Sequence, residues 1–320
     1  MAAKPTRPIK NPPQVGNLPY IKEYFTMESM PKLALLLLTA TTILAQAPPP
    51  ELDIHYAAES PSQVLDLFVP AKKGFATIVY TYGGGWHAGS GKSSTPIAER
   101  LRALGYGCAL ISHRLFPPYV FPAHAEDLAS AVAWVKANIA ARGGDPNRII
   151  LAGHSSGAHL SLLLATDPRY LAAHHLTIAA ISAVIGLSPP VDLTRHADGR
   201  GYGDALLGGH GADAFRRDEA LMKDASPMQH LSDALPPTLL IVGANDFPML
   251  EADARAFARK ADSLGRKVEV VVAPGKDHMG VARGMLEDDD LVFKTVTSFL
   301  AALAQGDELL KALGPVSIRP

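Results

Sequence analysis

Ser155 lies within Gly153-His154-Ser155-Ser156-Gly157, a G-x-S-x-G run between two segments of opposite character. Residues 148–152 form a short apolar run of the kind a buried parallel strand needs. Residues 158–165 are Ala/Leu-rich and predict a helix. A serine at such a strand-to-helix turn is lifted on a tight elbow at the carboxyl end of a sheet, where its hydroxyl can act as a nucleophile. A neutral hydroxyl is a weak nucleophile, so a base and a group to orient that base must be found as well.

In elbow-type sites the chain order is Ser, then Asp or Glu, then His. Residues 238–242 predict a buried strand, and Asp246 follows it in Gly243-Ala244-Asn245-Asp246. A helix over 251–264 and a strand over 267–273 come next, and the loop beyond them carries His278. Both residues therefore leave the carboxyl edge of a parallel sheet, the edge that also carries Ser155. The chain has 12 histidines, and chain order separates His278 from the rest. His159, one helical turn past Ser155, is expected to pack beside the elbow. His154 cannot reach over its own backbone to the neighbouring hydroxyl, and His174 and His175 fall in a connection. Asp277 and Asp253 compete with Asp246 for the acid and are read as solvated.

A tetrahedral oxyanion needs preorganised N–H donors. Residues 75–80 predict a strand, and Tyr82-Gly83-Gly84-Gly85-Trp86 leaves it with three glycines in a row. Gly91-Lys92-Ser93 superficially suggests a phosphate loop, but no strand precedes it and the spacing is wrong, so it is read as a loop.

The elements that must position these groups are eight strands, near residues 51–57, 63–69, 75–81, 107–112, 148–152, 181–187, 238–242 and 267–273. They alternate with helices after the third, which predicts a mostly parallel sheet covered on both faces. Leu128, Val132, Val135 and Ile139 mark the core-facing stripe of the helix before the elbow, which is expected to end at Gly143-Gly144. The segment 195–227 is polar and Gly-rich and is expected to form a small cap.

These pieces resemble the α/β-hydrolase fold, and within it the carboxylesterases related to hormone-sensitive lipase, the feruloyl esterases and kynurenine formamidase. The resemblance rests on Tyr82-Gly83-Gly84-Gly85-Trp86, Gly153-His154-Ser155-Ser156-Gly157-Ala158-His159, Gly243-Ala244-Asn245-Asp246 and His278. It extends through Arg114-Leu115, Phe121-Pro122-Ala123, Glu126-Asp127 and Gly144-Asp145-Pro146, covering residues 51–304. It implies an acyl-enzyme on Ser155, with His278 as base, Asp246 as its orienter, and an oxyanion hole made by the N–H groups of Gly84, Gly85 and Ser156. One departure is Tyr82, where the family's loop usually begins with a histidine that braces it by hydrogen bonds. The implied activity is hydrolysis of carboxylic esters, and the polar 195–227 segment together with an expected lack of an N-terminal cap points to small, soluble ones. A feruloyl esterase or aryl-formamidase is the alternative, and a binding scaffold a further one, since fold alone does not specify activity.

Composition excludes other classes. Net charge is −1 over 320 residues, so no basic field attracts nucleic acid. The single Cys108 lies in an apolar strand, which rules out a disulfide or a cysteine metal cluster. No paired-ligand spacing appears, so neither metal nor cofactor is expected. Lys32, the apolar core at 33–44 and Ala45-Gln46-Ala47 have the three parts of a secretory signal peptide, and that core is too short to span a bilayer. Residues 27–47 are accordingly read as the signal and residues 1–26 as an extension upstream of the native start. Residues 48–320 are read as one catalytic domain, secreted or periplasmic, with room for a homodimer. Few residues separate Pro48 from the first strand, so an N-terminal helical cap is expected to be missing and the pocket open.

Overall fold

The computed structural model describes residues 46–194 and 212–313. The proposed signal up to residue 45 and part of the proposed cap, 195–211, lie outside them.

Eight strands form one sheet in the order β1-β2-β4-β3-β5-β6-β7-β8. Their spans are β1 Glu51–His55, β2 Val64–Phe68, β3 Phe75–Thr81, β4 Gly107–Ile111, β5 Gly144–His154, β6 Ala183–Leu187, β7 Thr238–Gly243 and β8 Val268–Ala273. Strand β2 runs antiparallel to both β1 and β4. From β4 onward every pair is parallel. All eight expected strands are present. The largest difference is β5, which starts at Gly144 because that residue already pairs with Phe75, four residues before the apolar run at 148–152.

The helices are α1 Thr95–Ala103, α2 Ala123–Asn138, α3 Ser156–Thr166, α4 Pro168–Ala172, α5 Glu219–Asp224, α6 Pro248–Ser263, α7 His278–Gly284 and α8 Leu291–Leu313. Period-2 alternation divides the strands between two cores. Phe75 and Val79 of β3 and Ile149 and Leu151 of β5 face one core, beneath α2, α3 and α6. Ile78 and Tyr80 of β3 and Ile150 and Ala152 of β5 face the other, beneath α1, α7 and α8. The stripe Leu128, Val132, Val135 and Ile139 is fully buried, as its spacing predicts. Burying each such side chain is worth roughly 1.5–3 kcal/mol, and this fixes α2 on the sheet.

Two sequence readings are corrected. Gly91–Ser94 is a 3₁₀ turn leading into α1, because Gly91 N–H is held by the Ser112 hydroxyl at 2.9 Å. Asp253 is buried on α6 rather than solvated, on the helix face that carries Leu250, Ala254 and Phe257 into the core. Cys108 is free and buried in β4, and burial pushes its thiol pKa up.

Candidate active site

Strand β5 ends at His154 and α3 begins at Ser156, which leaves Ser155 alone at the turn with φ +52° and ψ −122°. That backbone is strained for a residue carrying a Cβ. The turn holds because its surroundings over-determine it. Ser155 N–H donates to the Leu187 carbonyl of β6 at 2.8 Å, and the Ser155 carbonyl accepts from His159 N–H at 2.9 Å. Gly157 explains the second glycine of the motif. A Cβ there would sit 2.1 Å from the Thr81 carbonyl oxygen and 2.4 Å from that of Tyr82. The elbow and the end of β3 are therefore in backbone contact, which no larger residue would allow.

Asp246 follows β7 and His278 follows β8, at the same sheet edge as Ser155. His278 Nδ1 lies 2.8 Å from Asp246 Oδ1, and His278 Nε2 lies 2.8 Å from Ser155 Oγ. A carboxylate can only accept, so Nδ1 carries the proton and Nε2 is left to accept from the serine hydroxyl. Asp246 Oδ1 also accepts from Phe247 N–H at 2.8 Å, and Oδ2 accepts from Ser188 Oγ at 2.5 Å. Burial alone would raise the Asp246 pKa, but hydrogen bonds from His278, Ser188 and Phe247 outweigh it and hold the carboxyl below its usual range. The group is thus an anion fixed beneath the imidazole. Asp277, by contrast, caps α7 by accepting from Gly280 N–H and pairs with Arg283.

Ser188, the residue directly after β6 at φ +51°, was not found from sequence. Its place directly after a strand and before Pro189-Pro190 was the available signal. His154 Nε2–H donates to the His278 carbonyl at 3.0 Å, anchoring the loop that carries the imidazole. Phe247 closes the other side of His278, edge-on at 4.9 Å.

The glycine loop sits across from the elbow. Gly84 adopts φ +153°, and a Cβ there would meet the Ala88 carbonyl oxygen at 1.9 Å, so glycine is obligatory. The N–H groups of Gly84 and Gly85 both donate to Ser156 Oγ, at 3.1 and 3.0 Å. The three expected donor residues are therefore adjacent, with two of their N–H groups turned onto the hydroxyl of the third.

The rest of the loop is held by aromatic packing. Tyr82 is buried and stacks on His113, 5.0 Å between ring centroids and 8° from parallel. Contact of ring faces thus stands where the family's histidine would form hydrogen bonds. His113 meets His124 edge-on at 5.6 Å, and His124 Nε2–H donates to the Trp86 carbonyl at 3.1 Å. Trp86 Nε1–H donates to His159 Nδ1 at 3.3 Å, while His159 Nε2–H donates to the Ala225 carbonyl at 2.8 Å. Burial pushes His124 down to about 3 and His154 and His159 down to about 4. All three are neutral braces at ordinary pH.

Phe215, from the described part of the expected cap, packs edge-on against Trp86 at 4.9 Å and is fully buried. The sequence reading of 195–227 as polar missed this anchor, because an isolated aromatic in a polar, Gly-rich run carries no periodicity. A cavity of about 230 Å³ borders Gly83, His154 and Met279, but neither Ser155 nor His278 lines it, so it adjoins the relay rather than containing it. Among the described residues there is no cluster of three metal-ligating side chains, and no helix is long and apolar enough to cross a membrane.

A mostly parallel, eight-stranded sheet covered by helices on both faces, with Ser, Asp and His at one edge in that chain order, defines the α/β-hydrolase fold. Within that fold the BD-FAE family model matches residues 65–260, and the chain belongs to that family. Esterase LipC of Mycobacterium tuberculosis is 30% identical over 232 residues, 69% of this chain and 57% of LipC. The probable carboxylic ester hydrolase LipM of the same organism is 33% identical over 191 residues, 58% of this chain and 44% of LipM. The chain spans about half the length of the curated relatives it matches. A truncated carbohydrate esterase from gut microbiota superimposes with a TM-score of 0.68 at 23% identity, covering 82% of this chain and 98% of that one. The apo form of Thermogutta terrifontis esterase 2 gives 0.61 at 22% identity, covering 84% and 96%.

Proposed function

We propose that this chain is a serine hydrolase of carboxylic esters that works through an acyl-enzyme on Ser155. The observation that carries this reading is the unbroken Asp246–His278–Ser155 relay, with both contacts at 2.8 Å. His278 Nε2 takes the Ser155 proton as Oγ attacks the ester carbonyl, and Asp246 keeps Nδ1 protonated and stabilises the imidazolium. Collapse of the tetrahedral intermediate breaks the carbonyl–alkoxy bond, and His278 returns its proton to the departing alcohol. Water then attacks the acyl-enzyme with His278 again as base, releasing the acid and restoring the Ser155 hydroxyl. The relatives named as esterases and carboxylic ester hydrolases support the same class of bond.

The substrate we infer is a small, soluble ester. Residues 212–225 bury Ala214, Phe215, Met222 and Ala225 and leave Arg216, Arg217, Asp218 and Glu219 exposed. Among the described residues of this segment, that outer surface is charged and offers no apolar patch for an oil–water interface. A chain-length series of p-nitrophenyl esters, with methyl ferulate and N-formylkynurenine alongside, tests this. The expected order places acetate or butyrate first, and preference for palmitate, ferulate or the formamide would replace the substrate class.

We also infer export, with a mature terminus near Pro48. The three-part signal pattern motivates it. The Pro48 carbonyl accepts from Arg102 at 3.2 Å, so backbone contacts with the fold are already present at that residue. Mass-spectrometric sequencing of the periplasmic or secreted protein is expected to find a terminus near Pro48. Recovery of a chain still carrying residues 33–44 would remove this inference.

A further inference from the structure

The cavity of about 230 Å³ beside the relay lies between the start of α1, the end of β3 and α7, the helix that begins with His278. Its body is apolar, formed by Pro96, Ile97, Met279, Ala282 and Leu286. Met279 and Leu286 are 52% and 41% exposed, two of the few large apolar side chains that the described surface leaves open. Arg283 is the one charged residue in its wall, and Asp277 pairs with that guanidinium at 3.2 Å. Such a wall favours an uncharged, largely apolar guest.

Two polar groups in the wall have nothing to bind. His154 Nε2 faces the His278 carbonyl, which can only accept, so Nε2 carries the proton. Burial pushes the His154 pKa down to about 4, so the ring is neutral and Nδ1 is a bare acceptor. His154 is 5% exposed, and among the described residues nothing donates to Nδ1. That nitrogen lies against Gly83, where a Cβ would come within 2.6 Å of it, and both residues line the cavity. Ser94, also buried in the wall, does not cap α1, and among the described residues its hydroxyl makes no hydrogen bond. A buried acceptor without a donor is costly, and a donor arriving in the cavity relieves that cost.

We propose that this cavity is a second ligand site, for a single-ring or short-chain alcohol whose hydroxyl donates to His154 Nδ1 while its apolar body packs on Ile97, Met279 and Ala282. An engineered cavity of about 150 Å³ holds a benzene ring, so the volume admits a ring that carries a hydroxyl. The occupant touches two residues that hold the base: Met279 follows His278 in the chain, and His154 bonds the His278 carbonyl. Donation to Nδ1 polarises the imidazole and strengthens its bond from Nε2, which steadies the loop carrying His278. Ester hydrolysis frees an alcohol, so the relay produces this class of ligand beside the cavity. That source alone rests on the serine-hydrolase reading above.

The test titrates protein carrying ¹⁵N-histidine with phenol and with toluene, which has the same shape and no donor. Phenol is expected to move the His154 Nδ1 signal upfield from the position of a bare ring nitrogen, saturably, and toluene to leave it in place. Ala282→Phe fills the cavity and should weaken phenol binding by about tenfold or more, with a melting temperature close to wild type. Because the relay does not line this cavity, saturating phenol should keep the KM for p-nitrophenyl acetate within about twofold. Phenol that leaves Nδ1 unmoved in the wild type, or that binds Ala282→Phe as tightly, overturns the proposal. So does a KM that rises in proportion to phenol, which would make the cavity part of the substrate site. The spectroscopic measurement needs no turnover, so a protein that shows the phenol shift and hydrolyses no ester loses the esterase reading and keeps this site.

Discussion

The relay and the glycine loop face each other across the site, yet they are held in opposite ways. Ser155, Asp246 and His278 follow the ends of β5, β7 and β8, so sheet register brings them to one edge, where a few bonds from Leu187, Ser188 and His154 fix them. The Tyr82–Trp86 loop stands at the end of β3, but its shape depends on side chains from elsewhere. His113 stacks on its start, while His124 of α2, His159 of α3 and Phe215 hold its end. A strand end carries a functional group at almost no cost in specificity of packing. A loop that must aim backbone N–H groups needs a fitted wall, and here that wall is built from neutral, buried imidazoles. Damage to the relay should therefore remove chemistry and leave the fold, whereas damage around the wall should act through stability as well.

The largest expected effect is on the relay. Ser155→Ala should lower turnover by about a million-fold, the loss seen when a serine triad loses its nucleophile, with an unchanged melting temperature. An alanine variant retaining most of its activity would place the nucleophile elsewhere. Next is Asp246→Asn, which keeps the shape but permits the wrong imidazole tautomer and should cost about ten-thousand-fold. Asp277→Asn, altering only the cap of α7, should stay close to wild type in turnover. The reverse ranking of those two would reassign the acid.

On the wall's side the expected losses are in stability. Asp127 of α2 is fully buried and accepts from Arg114 N–H at 2.7 Å, Arg114 Nε at 2.9 Å and Gln63 Nε2 at 2.6 Å. It ties the chain just after His113 to the helix that carries His124. Removing one partner of such a pair typically costs about 3–5 kcal/mol, so Asp127→Ala should lower the denaturation midpoint strongly. Urea unfolding would measure this, and a midpoint within error of wild type would show the pair to be dispensable.

The smallest effect at neutral pH comes from the imidazoles, and it grows with acid. His124, His154 and His159 are held neutral in the fold, with pKa values depressed by burial from the ordinary 6.5 to about 3, 4 and 4. The unfolded chain takes up protons at these positions before the folded one does, so stability is complete above about pH 6.5 and falls as pH drops toward 4. Thermal melts between pH 7 and 4 should show a progressive fall in melting temperature. A flat profile over that range would mean that these buried sites admit charge.

The contrast also explains what could be read from the chain. All eight strands, the elbow and the order of Ser155, Asp246 and His278 were legible, because each rests on a local apolar run followed by a residue type. Ser188 beneath Asp246, and His113 and His124 against the glycine loop, were not. Their roles arise where β4, β6 and α2 converge, and no spacing along the chain encodes that meeting. Asp253 was misread for a related reason: a charged residue within a helix suggests solvent unless the inward face of that helix is known.

The central claim, that Ser155 is an activated nucleophile, is tested most directly by its reaction with an organophosphate. Wild-type protein treated with paraoxon and mapped by tandem mass spectrometry should carry one diethylphosphoryl group, on Ser155, in step with loss of esterase activity. Ser155→Ala and a His278→Ala variant should remain unlabelled under the same conditions. Stoichiometric labelling of another residue, or an unlabelled wild type that still hydrolyses esters, would contradict the account.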